Sequence, residues 1–257
     1  MIMAEGKSIL SQVAYGRLRF VQRHLPELAE YSSRTWGEES ERFRIAQNRA
    51  VLELAAFYDR ASRQVGAEIA SVFAVHAMLL EDRDFVDTVL AIIRNRGVTA
   101  EFAVRTTGDR LAATFAAMDS LYMQARAADI RDISRRVVRL LLAWHPSDPL
   151  RGGPAILVSD EFLPSEVMDL DNRKLLGLIA RKGSVDSHTA MLLRAYRIPA
   201  MAEVDLDPCW DGHRALLDGF DHRLYLDPDG ELLDSLRLKY QEGGKPIGYG
   251  MEAPLPL

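Results

Sequence analysis

The feature that most constrains the fold is the stretch from about residue 34 to residue 144, which contains almost no helix breakers and keeps helical periodicity throughout. Phe43, Ala46, Ala50, Leu54 and Phe57 recur at three- and four-residue spacing and line one helix face. Leu111, Phe115, Met118 and Tyr122 repeat the pattern, as do Ile130, Ile133, Val137 and Leu141. Gly66, Gly97 and Gly108 are expected to divide the run into several helices, with Thr99 as the N-cap of one. Residues 34–144 therefore read as an antiparallel helical bundle.

The flanks read differently. Residues 1 to about 22 are strand-like, with alternation over Val13–Phe20. Between Trp144 and Pro154 the composition shifts to Pro and Gly and the helical pattern stops. Beyond it, Ala155–Val158, Leu175–Ile179, Ala215–Leu217 and Arg223–Leu226 read as strands, Pro164–Leu170 as a helix start, and Asp227–Gly230 as a turn. The expected fold class is α/β plus all-α: an α/β subdomain of residues 1–22 and 145–231, with the bundle inserted into it. Residues 232–257 are expected to be a helix and linker leading out of the domain.

Composition removes several function classes. At 257 residues, 48% hydrophobic and 27% charged with net charge -5, this is an ordinary soluble globular composition. No apolar run approaches the roughly 20 residues needed to span a bilayer. The first residues lack a basic segment followed by an apolar core, so no secretory signal is visible. A single cysteine, Cys209, cannot form an internal disulfide and fits a reducing cytoplasm. No basic stripe with interleaved aromatics points to nucleic acid, and no Cys/His cluster points to zinc.

The chemistry concentrates between Gly177 and Pro199. An apolar strand ending at Ala180 runs into the polar loop Lys182–Asp186; Ser187, His188 and Thr189 follow, then a helix-compatible run from Ala190 to Ala195. The loop delivers His188 to the first turn of a helix, where backbone N–H groups and the positive end of the dipole point outward. Such a site attracts anions, phosphate above all. A nucleophilic imidazole beside it is what phosphoryl transfer through a phosphohistidine requires.

The string G-S-V-D-S-H-T-A-M-L-L-R (183–194), followed by I-P-A, resembles the phosphohistidine motif of the phosphoenolpyruvate-utilising family. V-F-A-V-H-A-M-L-L-E-D (72–82) and R-A-A-D-I-R-D-I-S-R-R (126–136) are similar to two signatures of Enzyme I of the sugar phosphotransferase system, and F-L-P-S-E (162–166) resembles the turn before its phosphohistidine strand. These segments fall in family order over nearly the whole chain, and the helical insertion favours Enzyme I over dikinases and synthases.

The resemblance implies that the Nε2 atom of a neutral His188 attacks phosphoenolpyruvate and that the phosphoryl group then passes to a histidine of the phosphocarrier HPr. It implies that Gly183, Ser184, Ser187, Thr189 and the helix-end amides cradle the phosphoryl oxygens, with Arg194 adding positive charge. It puts HPr on the helical lobe, at His76, Met78, Leu79, Asp82, Asp84, Tyr122 and Arg126. From the residues alone His76, in an apolar helix, is as readily a core or edge histidine. Phosphoenolpyruvate and Mg²⁺ are assigned to a dimerising, TIM-barrel-like C-terminal domain beyond this chain, so the expectation here is a cytoplasmic, monomeric fragment with no metal site and no membrane insertion. The chain departs from the family pattern at Val167, where threonine is usual, in the loop 183–188, which lacks an arginine and a threonine, and at Ala67 and Ala74, where docking acids are common. Two alternatives are a regulatory or binding module that retains the fold, and the swivelling domain of a dikinase- or synthase-like enzyme.

Overall fold

The computed structural model describes residues 2–21 and 26–242. They form two compact units: one drawn from 2–21, 147–162 and 169–242, the other from 26–146 and 163–168.

The first unit is built on a mixed sheet. Its strands are β1 (Ile2–Glu5), β2 (Lys7–Ser8), β3 (Val13–Phe20), β4 (Ala155–Ser159), β5 (Leu175–Ala180), β6 (Ala200–Ala202), β7 (Arg214–Asp218) and β8 (Arg223–Leu226). Among the described residues the order is β1-β8-β7-β3-β4-β5-β6-β2. β3, β4, β5 and β6 run parallel, and the remaining strands pair antiparallel at either side. Every residue of β4 is buried, as expected of a parallel strand covered on both faces, which is why Ala155–Val158 reads as an unbroken apolar run. One face packs Leu18, Ile156, Val158, Ile179, Met201, Trp210, Leu217 and Leu224 together.

The other face packs Val13, Leu216 and Tyr225 against Leu233, Leu236 and Tyr240 of a helix over Gly230–Glu242. That helix, α8, falls where the sequence reads as helix-compatible before a linker. Its apolar residues recur at three- and four-residue spacing and belong to this core. The rest of the expected linker, 243–257, lies outside the described residues.

The second unit contains α1 (Trp36–Val65), α2 (Ala67–Glu81), α3 (Arg83–Arg96), α4 (Ala100–Ala116), α5 (Leu121–Leu141) and, except for its last residue, the short α6 (Pro164–Asp169). Its boundaries follow local chemistry. Thr35 and Glu38 form a capping box at the start of α1. Gly97, at φ +62°, closes α3 in the left-handed conformation, and Thr99 accepts the Phe102 N–H to open α4. Asp82 caps α3 by accepting the N–H groups of Asp84 and Phe85.

Gly108 is a correction: it breaks nothing, but lies buried inside α4. A Cβ there would come within 2.2 Å of Ser134 Oγ on α5, so the glycine allows close approach of two helices. Phe43, Leu54, Phe73, Leu80, Ile93, Ile133 and Val137 fill the core. No helix among the described residues is long and apolar enough to cross a membrane.

Candidate functional site

After β5 the chain turns sharply. Arg181 and Lys182 donate their backbone N–H groups to Ser159 and Asp160, which holds the loop base beside β4. Gly183 takes φ +136°, a conformation L side chains rarely adopt. The next turn closes on Ser184: its carbonyl accepts the Ser187 N–H (3.1 Å) and its hydroxyl accepts the Asp186 N–H (3.1 Å). Ser187 is the N-cap of α7 (His188–Ala195), with Oγ accepting the Ala190 N–H at 3.2 Å. His188 is therefore the first helical residue, partly exposed, where the backbone N–H groups have no acceptor within the helix.

Thr189 is placed differently from a phosphoryl ligand. Its hydroxyl is buried and donates to the carbonyl of Phe162 (2.9 Å), so what it offers an anion at the helix start is its backbone amide. A cavity of about 30 Å³ lies beside the loop, lined in part by Lys182, Gly183, Ser184, Ser187 and Thr189. It has room for a water-sized group. Arg194 is not brought there: it sits in the last turn of α7 and its Nε donates to Ile9 O (3.0 Å). The side chains of Arg181 and Lys182 are exposed, and the Arg181 guanidinium is held by Leu206 O (2.5 Å). Positive charge beside the loop is thus available from the helix end, from the solvated Lys182 and from Arg181, which Asp160 faces at 3.5 Å.

In the helical unit, α2 presents Met78 to solvent, 70% exposed, with Val75 beside it. Leu79 is half-buried, and Asp82 and Asp84 are exposed at the start of α3. His76 is a correction to the docking-face expectation, because it is fully buried. Its Nε2 lies 3.1 Å from Asp129 Oδ1 and its Nδ1 3.5 Å from Asp132 Oδ2. Arg126 is mostly buried and donates to Asp129 (2.9 Å), so its first role is to balance a buried acid. The side chain of Tyr122 lies outside the described residues.

Asp129, Asp132 and Ser165 were missed as partners. The R-A-A-D-I-R-D spacing puts the two acids three residues apart on one helix face. Nothing in the sequence tied Ser165, 33 residues on, to Asp132.

Two family models match the chain: the N-terminal domain of phosphoenolpyruvate-utilising enzymes over residues 5–126, and their mobile domain over residues 152–220. The phosphoenolpyruvate-protein phosphotransferase of Bacillus sp. (strain S) is 31% identical over 229 residues, 84% of this chain and 39% of that protein. The protein of the same name from Lactococcus lactis subsp. lactis is 33% identical over 183 residues, 70% of this chain and 32% of its own length. The chain thus spans at most 39% of the length of these relatives. A solution structure of Enzyme I (nEIt) superposes with a TM-score of 0.70 at 23% identity, over 94% of this chain and 100% of that one, which shows a shared fold. The N-terminal domain of a nitrogen Enzyme 1 superposes at 0.60 with 26% identity, over 93% and 99%.

Proposed function

The chain belongs to the phosphoenolpyruvate-utilising enzyme family, whose N-terminal and mobile domains it carries in order, and we propose that it is the phosphohistidine half of a phosphoenolpyruvate-protein phosphotransferase. The observation that supports this most directly is His188 as the first residue of α7, capped by Ser187 and set behind the turn at Gly183 and Ser184.

In this reading His188 accepts a phosphoryl group on Nε2. A nitrogen lone pair attacks phosphorus in line as the bond to the departing group breaks, whether that group is the enolate oxygen of phosphoenolpyruvate or a histidine nitrogen of a phosphocarrier. Little covalent chemistry is asked of the protein; positioning and charge stabilisation carry the step. The helix-end amides and dipole supply the charge stabilisation, and a hydrogen bond from an amide to a phosphoryl oxygen is charge-assisted. Mg²⁺ and the phosphoenolpyruvate pocket belong to a further domain in this proposal, and no step described for this chain passes through them.

The partner is HPr, a small phosphocarrier with a basic, apolar-rimmed histidine site. The exposed apolar pair Val75 and Met78, with Asp82 and Asp84 at its edge, supplies matching chemistry on the helical unit. The place of action is the cytoplasm.

The test runs the transfer backwards. The chain is incubated with phosphorylated HPr and the acid-labile label is mapped; the label is expected on His188 and lost in His188→Ala. A label that survives His188→Ala would remove the assignment.

A further inference from the structure

α7 has only eight residues, too few to hold a helix in place in water, so the position of His188 depends on what grips α7. One side of it packs, with Thr189, Ala190, Leu192 and Leu193 buried. Apolar burial is non-directional and leaves a short helix some freedom to slide along its own axis. Hydrogen bonds have preferred lengths and angles and remove that freedom. The Thr189 hydroxyl makes one at the first turn, to Phe162 O (2.9 Å). Arg194 makes another at the last turn, where Nε donates to Ile9 O (3.0 Å).

Ile9 is a fixed point. It follows β2, and its N–H donates to Ala200 O (2.8 Å) at the start of β6. Ile9 also lines the cavity of about 30 Å³ beside the loop before His188, together with Ser184, Ser187 and Thr189. The Arg194 bond thus ties the far end of α7 to a residue that shares this cavity with its near end. All of these residues belong to the sheet unit.

The same geometry separates Arg194 from the phosphoryl group it was expected to serve. Arg194 follows His188 by six residues, which is about 9 Å along a helix axis, and its Nε–H is directed to Ile9.

We infer that Arg194 is a positioning residue for His188, and that it contributes a directed N–H rather than a charge. Through Ile9 O it fixes the axial place of α7, and with it the imidazole and the helix-start amides. The kinetic consequence rests on the reading of His188 as a phosphocarrier; the structural consequence does not. A displacement of about 1 Å in a positioned nucleophile can lower a rate by roughly a hundredfold, so a helix free to slide is expected to matter.

Side-chain chemistry separates the donor from the charge. Counted outward from Cβ, glutamine carries its amide nitrogen where arginine carries Nε. Arg194→Gln therefore keeps a donor for Ile9 O and deletes the charge, whereas Arg194→Met keeps the length and deletes both.

The test uses the whole 257-residue chain and these two variants. NMR follows the Ile9 carbonyl ¹³C signal and the His188 ring ¹⁵N signals, and phosphoryl transfer from phosphorylated HPr is timed alongside HPr binding. Arg194→Met is expected to shift both sets of signals and slow transfer roughly tenfold, with HPr affinity unchanged. Arg194→Gln is expected to keep the parent signals and the parent rate.

His188 signals unmoved in Arg194→Met would overturn the inference. So would an Arg194→Gln chain as slow as Arg194→Met, which would make the charge the contribution that counts. If the unaltered chain takes no phosphoryl group at all, the functional reading falls while the NMR signals still decide the positioning.

Discussion

His76 and Met78 lie two residues apart on α2 and face opposite ways: the imidazole is fully buried and the thioether 70% exposed. Two residues turn a helix through about 200°, so one neighbour enters the core as the other leaves it. Met78→Ala is accordingly expected to weaken HPr binding by about 1–2 kcal/mol, chiefly through a faster off-rate, as for a buried interface anchor. Its effect on unfolding is expected to stay within about 0.5 kcal/mol, as for a surface site. His76→Ala withdraws the ring between two buried carboxylates and is expected to cost about 3–5 kcal/mol of stability. Urea unfolding and HPr titration of both variants measure this; similar stability losses in the two would reject the division of roles.

Asp82 and Asp84 carry the acidic edge of the same surface, but they are not equivalent. Asp82 accepts the N–H groups of Asp84 and Phe85 and so caps α3. Reversing its charge mixes a lost cap, about 1 kcal/mol, with any loss of steering. Asp82→Asn keeps a competent cap while removing the charge, and Asp84→Lys reverses a charge that caps nothing in α3. Both are expected to slow HPr association and flatten its dependence on salt, with little change in the off-rate. Stopped-flow association at two ionic strengths reads this directly, and unaltered rates would put the docking surface elsewhere.

A third expectation concerns the crossing of α4 and α5. A Cβ on Gly108 would stand 2.2 Å from Ser134 Oγ and 2.6 Å from Ser134 Cβ. Gly108→Ala gains helix propensity of about 1 kcal/mol but forces the two helices apart, and overpacking typically costs about 1–3 kcal/mol. The net result is expected to be destabilising. Adding Ser134→Gly removes the obstructing atoms and is expected to relieve the clash, giving a favourable coupling in a double-mutant cycle. Additive losses would mean the crossing is not what the glycine serves.

Gly108 also shows where sequence reading stops. Gly66, Gly97 and Gly108 look alike in one dimension, yet the first two end helices and the third packs against α5. Only the partner helix distinguishes them. Local signals were legible for the same reason that they are local: Thr99 caps its own helix, β4 announces its burial by an unbroken apolar run, and the loop before His188 contains its own turn residues. What stayed hidden depends on distant residues. The Ser165 hydroxyl is satisfied by Asp132, the Thr189 hydroxyl by Phe162, and α8 is fixed by Val13, Leu216 and Tyr225. The motifs draw Arg194 and His76 toward function, while chain position leaves one in the last turn of α7 and helix phase turns the other into the core.

The last expectation is a pH dependence, set by Glu39 near the start of α1. Its side chain is 1% exposed. Burial pushes its carboxyl up, but hydrogen bonds from the Ser32 hydroxyl, the Ala100 N–H and Arg42 outweigh that and hold it below the ordinary carboxylate range. The sign follows from linkage. A carboxyl whose folded pKa lies below its unfolded value, about 4.3 for Glu, adds stability that is fully present above that value. The contribution is lost as pH falls through the lower, folded pKa. Glu39→Gln keeps the shape and leaves Arg42 its second acid, Glu101, at 2.5 Å. It is expected to cost about 1–3 kcal/mol at pH 7, as for a buried hydrogen-bonded charge. The gap between parent and variant is expected to narrow steadily below about pH 4.3, because the parent then protonates the same group. Every other carboxylate titrates in both proteins, so the difference isolates Glu39. Exchange of the Ala100 amide hydrogen, which Glu39 accepts, follows the same change locally. A gap that stays constant from neutral pH to pH 3 would show that Glu39 does not supply this stability as a carboxylate.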